Sequence, residues 1–217
     1  MTVYPGLHQF HREFDQSSKL ERANKIVFIT ARPALFRDRT LKHLRDCGFV
    51  GATLLMGSFR TLIGSKRMAR QKMQNFQQYK KIFPDYRFIF IGDNGQADID
   101  LGKMLLDNGE VSHVWIHDII RRSKGKVPYR CDECRAANIE LFTSYIGAAL
   151  LAVEKGIFEP DALVRVVDAT GRNLEKIDFQ SETQRIDCER ELLHDTNRVL
   201  EKIPKLVYTL SNPFRLV

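Results

Sequence analysis

The chain has 217 residues, 43% of them apolar, and a formal net charge of +7. That is enough to bury a full core in one domain with a helical appendage, and the positive balance suits an anionic partner. No run approaches the roughly 20 apolar residues that a spanning helix needs; the longest candidate, 141–153, is broken by Thr143, Ser144 and Gly147. The opening residues Met1-Thr2-Val3-Tyr4-Pro5-Gly6 carry neither a basic leader nor an apolar h-region, so a cytoplasmic protein without a secretory signal is expected. Cys131 and Cys134 form a CxxC, but Cys47 and Cys188 make no second pair and no histidine follows at finger spacing. The cysteines therefore read as free thiols of a reducing compartment.

In chain order, Lys25-Ile26-Val27-Phe28-Ile29-Thr30 reads as a buried strand with a polar tip. A helix is predicted over 34–45, stopped by Cys47-Gly48, and 52–56 is a second short apolar run. A long helix follows over 66–82, with Met68, Met73, Phe76, Tyr79 and Ile82 at helical spacing and Pro84 ending it. Next come a strand over 88–91, a helix over 98–106 and a strand over 111–117. This alternation with short connections predicts an α/β fold of Rossmann-like type, a parallel sheet covered by helices. Beyond 139 the period changes, and helices are predicted over 139–155, 160–177 and 182–203 with no strand between them. The division expected is a core over 1–120, a basic connector over 121–138 containing Arg121-Arg122-Ser123-Lys124-Gly125-Lys126, and a helical extension over 139–217 packed on the core.

Chemistry concentrates at Ile91-Gly92-Asp93-Asn94-Gly95-Gln96-Ala97-Asp98, where a buried strand delivers two carboxylates to its C-terminal tip. Open parallel sheets bind ligands at that rim. Thr30 ends another strand on the same rim, and Lys72, on the helix leading into the Asp93 strand, can bring an ammonium there. Hydroxyl, ammonium and paired acids suit a phosphoryl group together with Mg²⁺. Each residue also has a plainer reading: Thr30 as a hydroxyl satisfying a turn, Lys72 as a solvated helix lysine, and the acids as a polar turn. Gly64-Ser65-Lys66 has the wrong order for a phosphate-cradling P-loop, and His117-Asp118 reads as a supporting pair or a solvated strand end.

Thr30-Ala31-Arg32-Pro33, Lys72, the Phe83-Pro84 turn and the 91–98 segment together resemble the second, third and fourth motifs of haloacid-dehalogenase-type phosphohydrolases. The nearest likeness is to the phosphatidate phosphatase catalytic domains of fungal actin-patch proteins, over about residues 1–120. The resemblance implies that Thr30 binds the transferring phosphoryl group, Lys72 steadies it, and Asp93 and Asp98 hold Mg²⁺. Arg32, Asn94 and Gln96 would lie beside the substrate.

The family's reaction starts at an Asp-x-Asp pair on a central first strand, whose first acid attacks phosphorus. Nothing before Thr30 matches it, Asp98-Ile99-Asp100 has no strand of its own, and Asp15 is isolated in a polar run. The missing strand would lie between those ending at Thr30 and Asp93, leaving unpaired backbone groups on both. The expectation is thus a Mg²⁺-dependent phosphomonoester phosphatase-like domain, incomplete and inactive as it stands, with a phosphomonoester or phosphatidate as substrate. Loss of catalysis in a phosphate- or lipid-surface-binding relative, with peripheral contact to an anionic membrane, is the alternative; a different arrangement of the sheet is a third. No nucleic-acid partner is expected.

Overall fold

The computed structural model describes residues 4–16, 26–59, 64–95, 97–119 and 131–204. In chain order its elements are α1 (Leu7–Gln16), β1 (Val27–Pro33), a 3₁₀ turn (Ala34–Phe36), α2 (Arg37–Asp46) and β2 (Thr53–Gly57). There follow α3 (Ser65–Ile82), β3 (Ile89–Asp93), α4 (Asp98–Asp107), β4 (His113–His117), α5 (Cys131–Ala136) and β5 (Glu140–Phe142). The chain closes on α6 (Tyr145–Glu154), α7 (Pro160–Leu174) and α8 (Glu182–Lys202). The fold is α/β with parallel sheets and helices. No helix among the described residues is long and apolar enough to cross a membrane.

Two compact units emerge, one of Ile26–Phe142 and one joining Met1–Lys25 to Thr143–Val217. The sequence placed the boundary in a connector over 121–138 and gave the N-terminus to the sheet. The division instead follows Phe142, and α1 sides with the C-terminal helices. The basic run 121–126 lies outside the described residues.

Within Ile26–Phe142 the strands form two parallel sheets, β1–β2 and β3–β4–β5, with no ladder between β1 and β3. Each of those two strands therefore has one edge unpaired among the described residues. Their residues are half-buried throughout β3 and over most of β1, whereas Val114 to His117 of β4 are buried. A strand in mid-sheet is normally covered on both faces and paired on both edges. The strand expected between those of Thr30 and Asp93 rests on the family resemblance alone.

One helix layer serves both sheets. Ala69, Met73 and Phe76 of α3 form a buried cluster with Ala97, Leu101 and Leu105, and Ile29 of β1 and Phe90 of β3 both pack against it. Full burial of a large apolar side chain is worth about 1.5–3 kcal/mol. The helical spacing expected along α3 holds for Met73 and Phe76, but Ile82, the last residue of the helix, is 70% exposed. A second cluster of Ile99, Val114, Ile116, Cys134 and Ile139 surrounds β4.

The strand β5 corrects the helix expected to start at 139. Glu140 to Phe142 pair in parallel with Trp115 to His117, and Glu140 accepts a hydrogen bond from the Trp115 indole at 2.9 Å. Helix α6 begins only after Ser144, whose backbone is extended and whose hydroxyl accepts from the Gly147 N–H at 3.3 Å. Ser144 is thus an N-cap that splits one apolar run into strand and helix.

In the helical unit, α6 packs on α7 and α8, and α1 on α6 and α7. Phe10 is buried among Phe14, Tyr145 and Phe158. Glu13, 2% exposed, takes a two-pronged bond from Arg165 at 2.9 and 2.7 Å. This paired charge, together with the aromatic cluster, explains why the polar segment around Asp15 is helical.

Candidate functional site

The end of β3 sets the geometry. Asp93 is its last residue, and its Oδ1 accepts the Gly95 N–H at 2.7 Å, closing a tight turn. Five residues on, Asp98 opens α4 and folds back so that its Oδ2 accepts the Asp93 N–H at 3.3 Å. Gly92 makes that return possible, since a Cβ there would lie 2.7 Å from the Asp98 carboxylate. The two acids are thus held together by the strand–turn–helix itself.

Helix α3 supplies the cation. Lys72 Nζ donates to Asp98 Oδ1 at 2.5 Å, with side chains only 13% and 16% exposed. The same helix ties the sheets in polarity: Asn75 Nδ2 donates to the Met56 carbonyl of β2 at 2.7 Å, and the Ser65 hydroxyl donates to Asp100 in the first turn of α4. Lys72 and Asn75 lie one turn apart on α3, about 4.5 Å along the axis. The C-terminal ends of β2 and β3 therefore lie on one side of the unit. Lys72, Asp93 and Asp98 come together as one group.

Thr30 lies elsewhere on that side. It was expected at the strand tip, but β1 runs on to Pro33, and the register jumps between the Ile29–Leu55 and Pro33–Gly57 pairs. Residues 30–32 bulge over Gly57, where a Cβ would meet the Ala31 carbonyl oxygen at 2.3 Å, so only glycine fits beneath them. In the bulge the Thr30 hydroxyl accepts the Arg32 N–H at 3.2 Å, and the Arg32 side chain is exposed. Among the described residues no hydrogen bond joins Thr30 or Arg32 to Lys72, Asp93 or Asp98.

Asn94 is buried and occupied. Its side chain donates to Asp118 Oδ1 at 2.6 Å and accepts the Ile119 N–H at 2.9 Å, clasping the loops after β3 and β4. It ties the two loops to each other at the rim. Gln96 lies outside the described residues. His117 is buried and stacks on Phe142 with ring centroids 4.9 Å apart.

Burial pushes the Asp93 carboxyl above its ordinary value of 3.8; the Gly95 N–H opposes this, Asp98 adds to the rise, and Lys72 counters it. A raised acid binds its proton more tightly in the folded state, so stability falls as pH climbs from the unfolded pKa through the folded one. Asp93→Asn should therefore be more stable than the parent at neutral pH, the difference vanishing below the ordinary carboxylate range. Thermal melts from pH 3 to 8 (about, spanning both limits) test this. A variant less stable at every pH would refute it.

Mg²⁺ alone does not fit these residues. Asp98 uses both oxygens on Lys72 and the Asp93 N–H, and Asp93 uses Oδ1 on Gly95, which leaves Asp93 Oδ2 as the carboxylate oxygen without a hydrogen bond among the described residues. No cluster of three or more His, Cys, Asp or Glu side chains suited to a metal occurs among the described residues. Mg²⁺ commonly binds through one or two carboxylates plus substrate phosphate and retained waters, and with a phosphate supplying oxygens the donor set becomes adequate.

The partners of three polar residues escaped the sequence reading. Asp118 has a partner in Asn94, Asp100 in Ser65, and Asn75 in the end of β2. A polar residue directly after a strand or in a helix's first turns was the available signal, but its partner is set by packing. Comparison with known proteins adds no relatives: no family model matches the chain, and neither a curated protein nor a solved structure matches it.

Proposed function

We propose that Ile26–Phe142 is a phosphohydrolase-like domain that holds a phosphomonoester at the C-terminal ends of its strands and does not turn it over unaided. The observation carrying this reading is the Lys72–Asp98 pair at 2.5 Å directly beside Asp93. An ammonium and two carboxylates on a strand tip match the chemistry of a phosphate taken up with a divalent cation.

In this proposal Lys72 would donate to a phosphate oxygen. Asp93 and Asp98 would hold Mg²⁺, and a bound cation would supply neutralisation of the phosphate charge. The Thr30 hydroxyl and the exposed Arg32 guanidinium offer further donors on the same side of the unit. Neither Thr30 nor Lys72 is an activated nucleophile: Thr30 has no base bonded to its hydroxyl among the described residues, and Lys72 is paired with Asp98. Phosphatidate is the substrate that the sequence resemblance suggests, with the cytosol as the place of action. Holding the ligand without catalysis is favoured by the edges of β1 and β3 that are unpaired among the described residues, where the resemblance would place a nucleophile-bearing strand.

Calorimetry tests the site. Mg²⁺ or inorganic phosphate alone should bind weakly, the two together at least about tenfold more tightly, and Asp93→Asn should remove that synergy. Phosphate release from an aryl phosphate and from phosphatidate should stay at background. Absence of synergy would refute the phosphate site; Mg²⁺-dependent release lost in Asp93→Asn would show that the nucleophile lies within these residues.

A further inference from the structure

The loops that follow β1 and β2 carry large apolar side chains that the core does not use. Leu35 is 78% exposed, Phe36 40% and Phe59 60%, and the Phe36 and Phe59 rings lie 6.4 Å apart between centroids. Leu35 and Phe36 belong to the turn directly after β1, and Phe59 lies two residues beyond β2. The strands are parallel, so all three gather at the C-terminal end of that sheet. Scattered exposed apolar residues need no explanation, but a pair of aromatic rings from two loops joined by a leucine does.

Basic residues neighbour Leu35 and Phe36 in the chain. Arg32, Arg37 and Arg39 are exposed, and none forms a salt bridge among the described residues. The single acid between them, Asp38, is also exposed and leaves the stretch 32–39 net positive. Long arginine stems lie along an apolar boundary while their heads stay in water, and aromatic rings prefer the same boundary.

We propose that this loop end is a docking surface for an anionic lipid bilayer, with Leu35, Phe36 and Phe59 entering the headgroup boundary and Arg32, Arg37 and Arg39 meeting lipid phosphates. The complementarity of sign selects a bilayer over an apolar protein groove: three unpaired cations would be costly to cover with protein lacking matching acids, whereas an anionic leaflet supplies them everywhere. The proposal goes beyond the phosphate site and does not depend on it, since docking needs neither Asp93 nor Lys72.

The test is co-sedimentation of the full chain with phosphatidylcholine vesicles, with and without phosphatidylserine. The chain should partition onto the serine-containing vesicles, weakly onto the neutral ones, and less as salt rises. Phe36→Ser with Phe59→Ser should weaken partitioning by about tenfold or more. Arg37→Gln with Arg39→Gln should weaken it about fivefold per arginine. Val50→Ser, at an 84% exposed residue before β2 on the other end of the sheet, should change nothing. Failure of the parent to bind anionic vesicles would overturn the proposal, as would parent-like binding of the Phe36/Phe59 variant. The arginine variant removes no core contact, so its result stands if the aromatic variant misfolds. No turnover enters the measurement, so its outcome is separate from that of the phosphate-site titrations.

Discussion

Lys72→Met is expected to destabilise the Ile26–Phe142 unit by about 2 kcal/mol and to abolish phosphate binding at the rim. The methionine keeps an aliphatic stem of similar length but removes the ammonium. Asp98, 16% exposed on its side chain, then faces the Asp93 carboxyl without a cation. Losing one partner of a buried pair costs about 3–5 kcal/mol, and partial exposure reduces that here. Asp98→Asn should hurt less, because the amide oxygen still accepts from one of its two donors, Lys72 or the Asp93 N–H. The double variant Lys72→Met/Asp98→Asn should recover much of the loss, which a simple packing defect would not do. Urea denaturation of the four proteins, with phosphate titration followed by phosphorus NMR, measures both effects. Parent-like stability of Lys72→Met would mean that the pair contributes nothing.

The second large effect belongs to the helical unit. Asp195 on α8 is 1% exposed, and its Oδ2 accepts from the Ser144 hydroxyl at 2.6 Å and the Thr143 hydroxyl at 3.1 Å. Its Oδ1 accepts from Arg198 at 3.3 Å. The carboxylate sits at the start of α6, where a negative charge is favourable. Asp195→Ala would remove the buried acceptor of two hydroxyls together with that charge, and about 3 kcal/mol should be lost. Asp195→Asn, which can still accept one hydroxyl bond, should lose roughly half as much. Equal losses in the two variants would assign the cost to packing rather than to the carboxylate.

How much of this was legible in the residues differs element by element. The run Phe88 to Asp98 announced β3, its acidic tip and α4, because an apolar run ending in Gly-Asp has few other outcomes. Met73 and Phe76 likewise placed α3 within a residue of its start. The strand β5 was hidden because Leu141 and Phe142 run into the apolar α6, and a short apolar run alone cannot separate strand from buried helix. What separates them is Ser144 as a cap, supported by Asp195 from 51 positions away. Helix α1 was missed for the same kind of reason, since its burial depends on Tyr145, Phe158 and Arg165. At the site, the shared rim of Lys72 and Asp93 followed from strand polarity. The Lys72–Asp98 pairing and the bulge that keeps Thr30 apart are set by packing and register, which single-residue patterns do not encode.

The break between the two sheets also shapes how the unit comes apart. In a continuous sheet, loosening one strand disturbs hydrogen bonds running to both edges, so the layer tends to open as one. Here the β1–β2 ribbon and the β3–β4–β5 ribbon share no ladder, and α3 and its apolar cluster couple them through side-chain packing. Packing coupled in this way is softer than a backbone ladder, and the ribbons can act as separate cooperative units. The β1–β2 ribbon, with one partner strand and half-buried faces, is the weaker of the two, and it carries Thr30, Arg32 and the exposed aromatic pair. Thr30, Arg32 and the exposed aromatic pair thus sit on the two-stranded ribbon, while Asp93 belongs to the three-stranded one.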